Sequence, residues 1–226
     1  MLKTIQRGLV GGLLTVALSS THALSYNKLW AVTSIFGRFQ ANAPWLYYIE
    51  PQLRLIDNRY KFEEALLLAG LGYQINPQLA VYIGPTAVLS KNLQGVYRHE
   101  KRLWQQLVWN LPTTYWRANY RLRFEARERT DVASQHAYRV RQRIWLRIPF
   151  SGNNNIAWSL FDELLTNLNH PQWVSPHFIA QNRAFIGINQ RLSAAVMVDY
   201  GYMHQAIYAQ QQQNNNVALI AVTINL

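Results

Sequence analysis

The sequence predicts an all-β fold, in the form of an antiparallel up-and-down transmembrane β-barrel. Polar and apolar side chains alternate over most of the stretch 115–149, which is the pattern of strands with one polar and one apolar face. Stretches with the same alternation recur from residue 28 to the C-terminus. No apolar run beyond residue 23 is long enough for a membrane-spanning helix, so this chain would cross a membrane as a barrel.

Three strands are predicted in the first part of the chain. They cover 28–40, 45–57 and 62–75, and Pro44 marks the first connection. The third has a competing interpretation as a helix over 62–71, because residues 63–68 have helical propensity. Glycines at alternate positions near its end favour a strand that bends with the wall of a barrel.

The middle of the chain predicts four more strands. One covers 79–88 after a tight turn, and the next covers 97–111. The stretch 115–149 then holds two long strands on either side of a polar break at 130–135. Antiparallel neighbours joined by short connections are expected throughout.

The last part of the chain predicts four strands. The alternation of residues 156–165 is ambiguous, whereas that of 178–189 and 194–205 is clear. The polar tract 210–216 is interpreted as a solvated loop. A final strand ends at the large apolar Leu226, and we expect it to carry the signal that barrel assembly machinery recognises.

These segments number eleven, whereas bacterial single-chain barrels have even numbers of strands. We therefore predict about 12 strands, with 10 as the alternative. Short turns are predicted near residues 43, 77, 112, 153 and 190. They alternate with more polar connections near residues 59, 92, 132, 171 and 211. Bacterial barrels have short periplasmic turns and longer outer loops, and the alternation follows that rule.

The N-terminus predicts export. Lys3 and Arg7 precede an apolar run at 8–18, and small residues lead to Ala23, so residues 1–23 are predicted to be a cleaved secretory signal peptide. An N-terminal membrane anchor is the alternative, although the apolar run is short for a bilayer span. Residues 24–226 then form a single outer-membrane barrel domain, in contact with outer-membrane lipid after passage through the periplasm.

Charge narrows the choice of partner. The formal net charge is +11, and Arg recurs at alternate positions within apolar strands. A nucleic-acid binder would instead gather Lys and Arg on an exposed patch and would need no export signal, so no nucleic-acid partner is predicted. The absence of cysteine fits an oxidising compartment.

If the apolar faces meet lipid, the charged faces line the lumen. The arginines predicted to face it are Arg98, Arg102, Arg117, Arg121, Arg123, Arg127, Arg139, Arg141, Arg143, Arg147 and Arg183. The acids predicted to pair with them are Glu50, Glu64, Glu100, Glu125 and Asp199. One interpretation is a structural network of arginine–carboxylate pairs that fills a small barrel.

A second interpretation starts from the shortage of acids on the strand that carries four of these arginines. Such a row attracts anions, which suggests a narrow pore or binding cavity for small anionic solutes. Trp104 and Trp145 lie on the same inward faces, and by stacking on arginine they favour the filled barrel. Aromatic girdles at the membrane surfaces are predicted for Trp109, Trp116, Tyr120, Tyr138, Tyr200 and Tyr202.

Other classes have weaker support. A lipid-modifying hydrolase would need a nucleophile and base, and the candidates are Ser90, Ser134, Ser175, His99, His136, His170, His177 and His204. No recognised spacing joins them, so no catalytic residue is predicted. Cysteines and metal-binding His spacings are absent from the sequence, so no metal or cofactor is predicted. A soluble periplasmic β-sandwich is a further alternative.

Three short segments resemble an uncharacterised bacterial family, the domain of unknown function 2490. They are EKRLWQQ at 100–106, RLRFEAR at 121–127 and QNR at 181–183. The resemblance extends over nearly the whole chain from Trp30 onward. It implies a Gram-negative outer-membrane barrel, and it implies no activity and no catalytic residues.

Overall fold

The structure is a computed structural model, and it describes residues 23–226 apart from 58, 60, 93, 133–134 and 151–152. The predicted signal peptide, except for Ala23, lies outside the described residues. All regular structure in the described part is β-strand, and none of it is a helix long and apolar enough to cross a membrane. The strands are β1 Asn27–Arg38, β2 Trp45–Ile56, β3 Lys61–Asn76, β4 Leu79–Lys91, β5 Tyr97–Leu111, β6 Arg117–Arg129, β7 His136–Phe150, β8 Asn153–Asn167, β9 Ile179–Arg191, β10 Val196–Ile207 and β11 Gln213–Asn225.

The strands form a closed barrel, so the predicted fold class is confirmed. Each strand pairs with its sequence neighbours in antiparallel fashion, and β1 closes the barrel by pairing with β11 in parallel. The predicted strand number of twelve, or ten, is wrong, because the described chain forms eleven strands. An odd number leaves the first and last strands pointing in the same direction, and a parallel ladder pairs them from Asn27 opposite Asn216 to Phe36 opposite Asn225.

The closed barrel also excludes the alternative of a soluble β-sandwich, since the two sheets of a sandwich would have free edges. The helical alternative for 62–71 is likewise wrong, because those residues lie within β3. The ambiguous segment 156–165 lies within β8, which extends two to three residues further at each end.

The connections alternate between two ends of the barrel. We call the end that carries the connections 57–60, 92–96, 130–135, 168–178 and 208–212 the loop end. We call the opposite end, with the connections 39–44, 77–78, 112–116, 151–152 and 192–195, the turn end. The predicted alternation is present, but only 168–178 is much longer than the turns. Because β1 and β11 are parallel, the start of β1 lies at the loop end, where Leu24 bridges to Gln213.

The outward faces of the strands are apolar, and their large side chains are exposed. Leu67 is 54% exposed, Leu103 52% and Ile186 51%, which is the opposite of a water-soluble sheet that buries its apolar face. Of the predicted girdle residues, Trp109 lies opposite Tyr120 near the turn end, and Tyr138 lies near the loop end. Tyr200 and Tyr202 also face outward, but they lie closer to the middle of β10.

Two irregularities shape the wall. At the loop end a bulge in β3 places Glu64 opposite Arg54 and Phe62 opposite Leu55, so that Glu63 is the extra residue, and its carboxylate accepts a salt bridge from Lys28 at 2.5 Å. Further along, β3 and β4 approach closely at Gly84, where a Cβ atom would lie 1.8 Å from the Ala69 carbonyl oxygen.

Candidate functional site

The most unusual feature of the barrel interior is the pairing of β6 with β7. Its register places Arg117 opposite Arg147, Arg121 opposite Arg143 and Arg123 opposite Arg141. Like charges that lie directly opposite each other on neighbouring strands destabilise a sheet. The positive charge of this ladder must therefore be compensated by acidic groups placed close to it.

Glu163 on β8 is the main compensating group. It is 3% exposed and accepts hydrogen bonds from three arginines on three different strands. Arg141 donates to it from β7 at 2.9 and 3.0 Å, and Arg183 donates from β9 at 3.1 Å. Arg121 on β6 also donates to it and therefore reaches past the intervening strand β7. One carboxylate thus holds together four neighbouring strands.

Glu125 on β6 is a second centre of the same network. It is 1% exposed and accepts hydrogen bonds from Arg139 and, at 3.0 Å, from Arg141. Arg141 therefore bridges Glu125 and Glu163, and joins the two centres. Hydrogen bonds between charged groups, with several bonds to each group, are stronger than those between neutral groups, provided that all partners stay in place.

Nearer the loop end, Glu100 binds two arginines in the same way. Arg102 and Arg127, which lie opposite each other in the register of β5 and β6, each donate two hydrogen bonds to its carboxylate. The nitrogen–oxygen distances of the shorter bonds are 2.7 and 2.6 Å. Again one acid separates a pair of facing arginines.

Toward the turn end the compensating acid is Asp199. Arg147 donates to its two oxygens at 3.1 and 2.8 Å, and the hydroxyl of Ser159 donates to it at 2.6 Å. The indole of Trp145 in turn donates to the Ser159 oxygen at 2.8 Å. Asp199 on β10 and Arg147 on β7 are three strands apart, so this contact crosses the interior.

Aromatic and aliphatic side chains fill the remaining interior. One cluster is formed by Trp30, Trp145, Phe161, Phe185, Met203, Val217 and Leu219. The other is formed by Tyr48, Leu66, Leu68, Val88 and Trp104. Arginines stack on these rings: Arg123 lies 4.7 Å from the centroid of Trp104, and Arg143 lies 4.4 Å from that of Trp145.

A cavity of about 320 Å³ opens at the loop end above this packed region. Nine lysine and arginine residues line it but only three glutamates, so its lining is strongly basic. Lys91 lies at its mouth, half-buried, and Arg139 and Arg183 lie deeper. Gln181 and Gln205 add neutral hydrogen-bonding groups. Its size suits a small ligand, since ligand pockets start at about 300 Å³.

The connection 168–178 packs beside this cavity. Trp173 lies 5.0 Å from the guanidinium of Arg127, and its indole donates to the Gln135 carbonyl oxygen at 3.2 Å. Within the connection, Asn167 donates to the Ser175 carbonyl oxygen at 2.9 Å. At the rim, hydrogen bonds from Arg129 lower the pKa of Asp131, which lies in the exposed connection between β6 and β7.

The predicted residues do not all lie where the sequence suggested. Glu50 accepts hydrogen bonds from Ser34 and Gln52 and, among the described residues, forms no salt bridge with an arginine. Arg98 is largely exposed at the loop end, 3.9 Å from Asp131. Arg117 donates to Asn189 at 3.3 Å and lies near no acid at salt-bridge distance in the described part of the chain. Glu64 pairs with Arg54, and Glu100, Glu125 and Asp199 pair with predicted arginines.

Glu163 was missed by the sequence analysis. Asp162 and Glu163 are adjacent, so each face of β8 carries one acid and the alternation does not reveal which face is inward. In the structure Asp162 accepts hydrogen bonds from Asn182, also on the outer face, whereas Glu163 faces the arginines. The small Ala157 and Ser159, both buried, are the signal that would have identified the inward face.

The hydrolase candidates do not converge in the described part of the chain. Ser134 lies outside the described residues. The hydroxyl of Ser175 donates to the Tyr208 carbonyl oxygen, and His170 contacts the carbonyl rather than the hydroxyl of Ser175, at 3.2 Å. The described residues also contain no group of three acids or histidines placed to hold a metal ion.

Apolar outer faces, a closed wall and an interior crossed by ion pairs define a porin-like barrel. The NanC porin, whose structure was solved in a rhombohedral crystal form, is similar in fold, with a TM-score of 0.53 at 11% sequence identity over 89% of this chain and 98% of that one. The chain belongs to the family described as protein of unknown function (DUF2490), whose profile matches residues 27–216. A similar relative is an uncharacterized protein of Methylorubrum extorquens strain AM1, 25% identical over 201 residues, which are 87% of this chain and 85% of that protein.

Proposed function

We propose that this protein is an outer-membrane barrel that binds small anionic solutes in the cavity at its loop end, and that its packed interior forms no open pore. The single observation that carries the proposal is the basic cavity of about 320 Å³, in which lysines and arginines outnumber glutamates nine to three. Clefts lined by one sign of charge concentrate ligands of the opposite sign.

The outer-membrane location is supported by the exposed apolar side chains on the outer faces and by strand lengths. Each strand has 12 to 16 residues, more than the roughly 9 to 11 that a tilted membrane strand needs. Contact with outer-membrane lipid would bury the exposed leucine and isoleucine side chains. Assembly through the apolar C-terminal strand, β11, belongs to the same proposal.

Binding rather than conduction is supported by the interior below the cavity. The hydrogen bond from Arg121 to Glu163 and the salt bridge between Arg147 and Asp199 both join strands that are not neighbours. Apolar clusters occupy both sides of this network. The free space narrows from about 320 Å³ at the loop end to a cavity of about 70 Å³ in the middle of the barrel.

Lys91→Glu tests the proposal, because Lys91 lines the cavity mouth and has no carboxylate at salt-bridge distance among the described residues. Calorimetric titration of the refolded protein with inorganic phosphate in detergent should show binding by the wild type. In this variant we expect the affinity to fall about tenfold, equivalent to about 1.4 kcal/mol. Lys101→Glu is the matched control, since Lys101 is exposed on the outer face of β5 and changes the net charge equally. Equal loss in both variants, or no phosphate binding by the wild type, would contradict a cavity site.

A further inference from the structure

A second, smaller cavity lies in the middle of the barrel, below the loop-end cavity. Its volume is about 70 Å³, and it is lined by side chains of β1, β2 and β6 to β11, including Trp30, Arg121 and Arg143. A volume of this size has room for a few water molecules or one small ion. It is too small for the solutes that would fit the loop-end cavity.

Unpartnered hydrogen-bond donors concentrate at this cavity. Among the described residues, eight buried side-chain polar atoms lack a hydrogen-bond partner, and seven of the eight are donors. Five of these donors belong to residues that line the cavity: the indole nitrogen of Trp30 and the Nε atoms of Arg54, Arg121, Arg143 and Arg183. Arg121 and Arg143 line this cavity and not the loop-end cavity, whereas the other three line both. Buried donors without an acceptor are costly. A group of five such donors at one cavity therefore indicates a ligand that accepts hydrogen bonds.

The charges around the cavity point the same way. Five arginines line it but only two acids, Glu50 and Glu163. Glu163 is shared by three arginines, and Glu50 is bonded to Ser34 and Gln52. Arg143 is left with no carboxylate at salt-bridge distance in the described part of the chain, and it lies directly opposite Arg121 in the register of β6 and β7.

Arg143 also has a fixed position. Its guanidinium lies 4.4 Å from the ring centroid of Trp145 and 5.8 Å from that of Phe161, so one side of the group is covered by aromatic faces. Arg143 lines the cavity, and its Nε has no hydrogen-bond partner. A guanidinium held in this way is a preorganised donor for an anion.

We infer that the central cavity is a binding site for one small dehydrated anion of halide size, held by Arg121, Arg143 and the indole of Trp30. An anion supplies acceptor capacity and negative charge together, whereas a water molecule supplies no charge and brings two protons that need acceptors of their own. The only unpartnered buried acceptor among the described residues is an oxygen of Glu63, which lines the loop-end cavity instead. The inference does not depend on solute binding at the loop end.

Bromide is the direct probe, because its anomalous scattering identifies it. Crystals of the refolded protein, grown in detergent with sodium bromide replacing chloride, should show an anomalous peak in the central cavity beside Arg121 and Arg143. In solution, the unfolding temperature should rise with the logarithm of the bromide concentration at constant ionic strength. Gluconate, which is too large for a cavity of about 70 Å³, should give no such rise.

Arg143→Met removes the charge and keeps an unbranched side chain against Trp145. We expect it to lose both the anomalous peak and the bromide dependence of the unfolding temperature. Arg191→Met, at an exposed position at the turn end of β9, is the control that should keep both.

Several outcomes would overturn the inference. The first is the absence of a central anomalous peak in wild-type crystals, and the second is a peak that persists in Arg143→Met. The third is a wild-type unfolding temperature that bromide and gluconate affect equally, which would mean binding at crystal concentration only. If Arg143→Met does not fold, the two wild-type measurements still decide. The effect of Lys91→Glu on phosphate binding reports on the loop-end cavity, and the effect of Arg143→Met on bromide binding reports on the central cavity, so the two sites can fail independently.

Discussion

At the scale of single residues, stability depends on a few acids that each serve several arginines. Glu163 is the clearest case, since it is buried and bonded to Arg121, Arg141 and Arg183. Removal of one partner from a buried ionic network leaves the others uncompensated, which typically costs about 3–5 kcal/mol. The arginine ladder of β6 and β7 is compensated by Glu163 and Asp199 from other strands and by Glu125 within β6.

Glu163→Gln tests this dependence. The change keeps the shape of the side chain and removes its charge, so we expect the free energy of unfolding to fall by about 3–5 kcal/mol. Urea unfolding of the refolded protein in detergent or lipid vesicles would measure it.

Glu128→Gln is the matched control for that experiment, because Glu128 is exposed near the end of β6. We expect its effect to stay within about 0.5 kcal/mol. A loss in Glu163→Gln no larger than that of the control would mean that Glu163 does not hold the arginines together.

Most of the inward-facing charged residues could be predicted from the sequence, but the partners of the arginines could not. Arg139 and Arg141 could be assigned because arginines recur at alternate positions along most of one face of β7 and most side chains of the other face are apolar. Their partners could not be assigned, because Glu163 stands beside Asp162 and the sequence does not state which strands lie across the interior. The pairing of Arg147 with Asp199, three strands away, requires the closed barrel.

At the scale of strands, the wall is shaped by a few positions where neighbours approach closely. The inward-facing Gly84 of β4 lies against the backbone of β3, where a Cβ would meet the Ala69 carbonyl oxygen at 1.8 Å and the Gly70 Cα at 2.7 Å. Backbone atoms cannot move aside as a flexible side chain can. The indole of Trp104 then covers this region and donates to the Pro85 carbonyl oxygen at 3.1 Å.

Gly84→Ala should therefore force β3 and β4 apart. We expect it to lower the free energy of unfolding by about 1–3 kcal/mol or more, the range of overpacking substitutions. The same urea experiment would measure it. Ala87→Leu, on the outward face of the same strand, should be tolerated in detergent, and equal effects of both changes would contradict the close approach at Gly84.

Strand positions were predictable from the sequence because the side-chain period of two is a local property. The bulge that turns Glu63 inward beside Glu64 was not, since a bulge depends on the register between two strands. The lengths of the connections also misled in part. The polar segments at the loop end are not generally longer than the turns. Asn92 of the short connection 92–96 lines the cavity, and Trp173 of the longer 168–178 stacks on the lining residue Arg127.

At the scale of the whole molecule, closure of the barrel decides what the interior can do. The rule of even strand numbers predicted twelve or ten strands, and it failed because β1 and β11 close the wall in parallel. Parallel closure is a long-range property that no local pattern contains. It places the start of β1 and the basic cavity at the same end of the barrel.

The filled interior separates binding from conduction. A barrel with an aqueous channel needs a continuous polar path, whereas this interior combines ion pairs between distant strands with two apolar clusters. Anions that enter the loop-end cavity would thus meet a closed floor. Small barrels whose side chains fill the interior are a known outcome of barrel geometry.

Planar-bilayer conductance tests this central claim most directly. The wild-type protein, with insertion verified by flotation of the same preparation with liposomes, should give no steady single-channel current at moderate voltage. No current is expected whether chloride or potassium is the ion available to carry it, because a filled interior would pass neither anions nor cations. A stable current would contradict the account, and anion selectivity of that current would show that the arginine ladder lines an open pore.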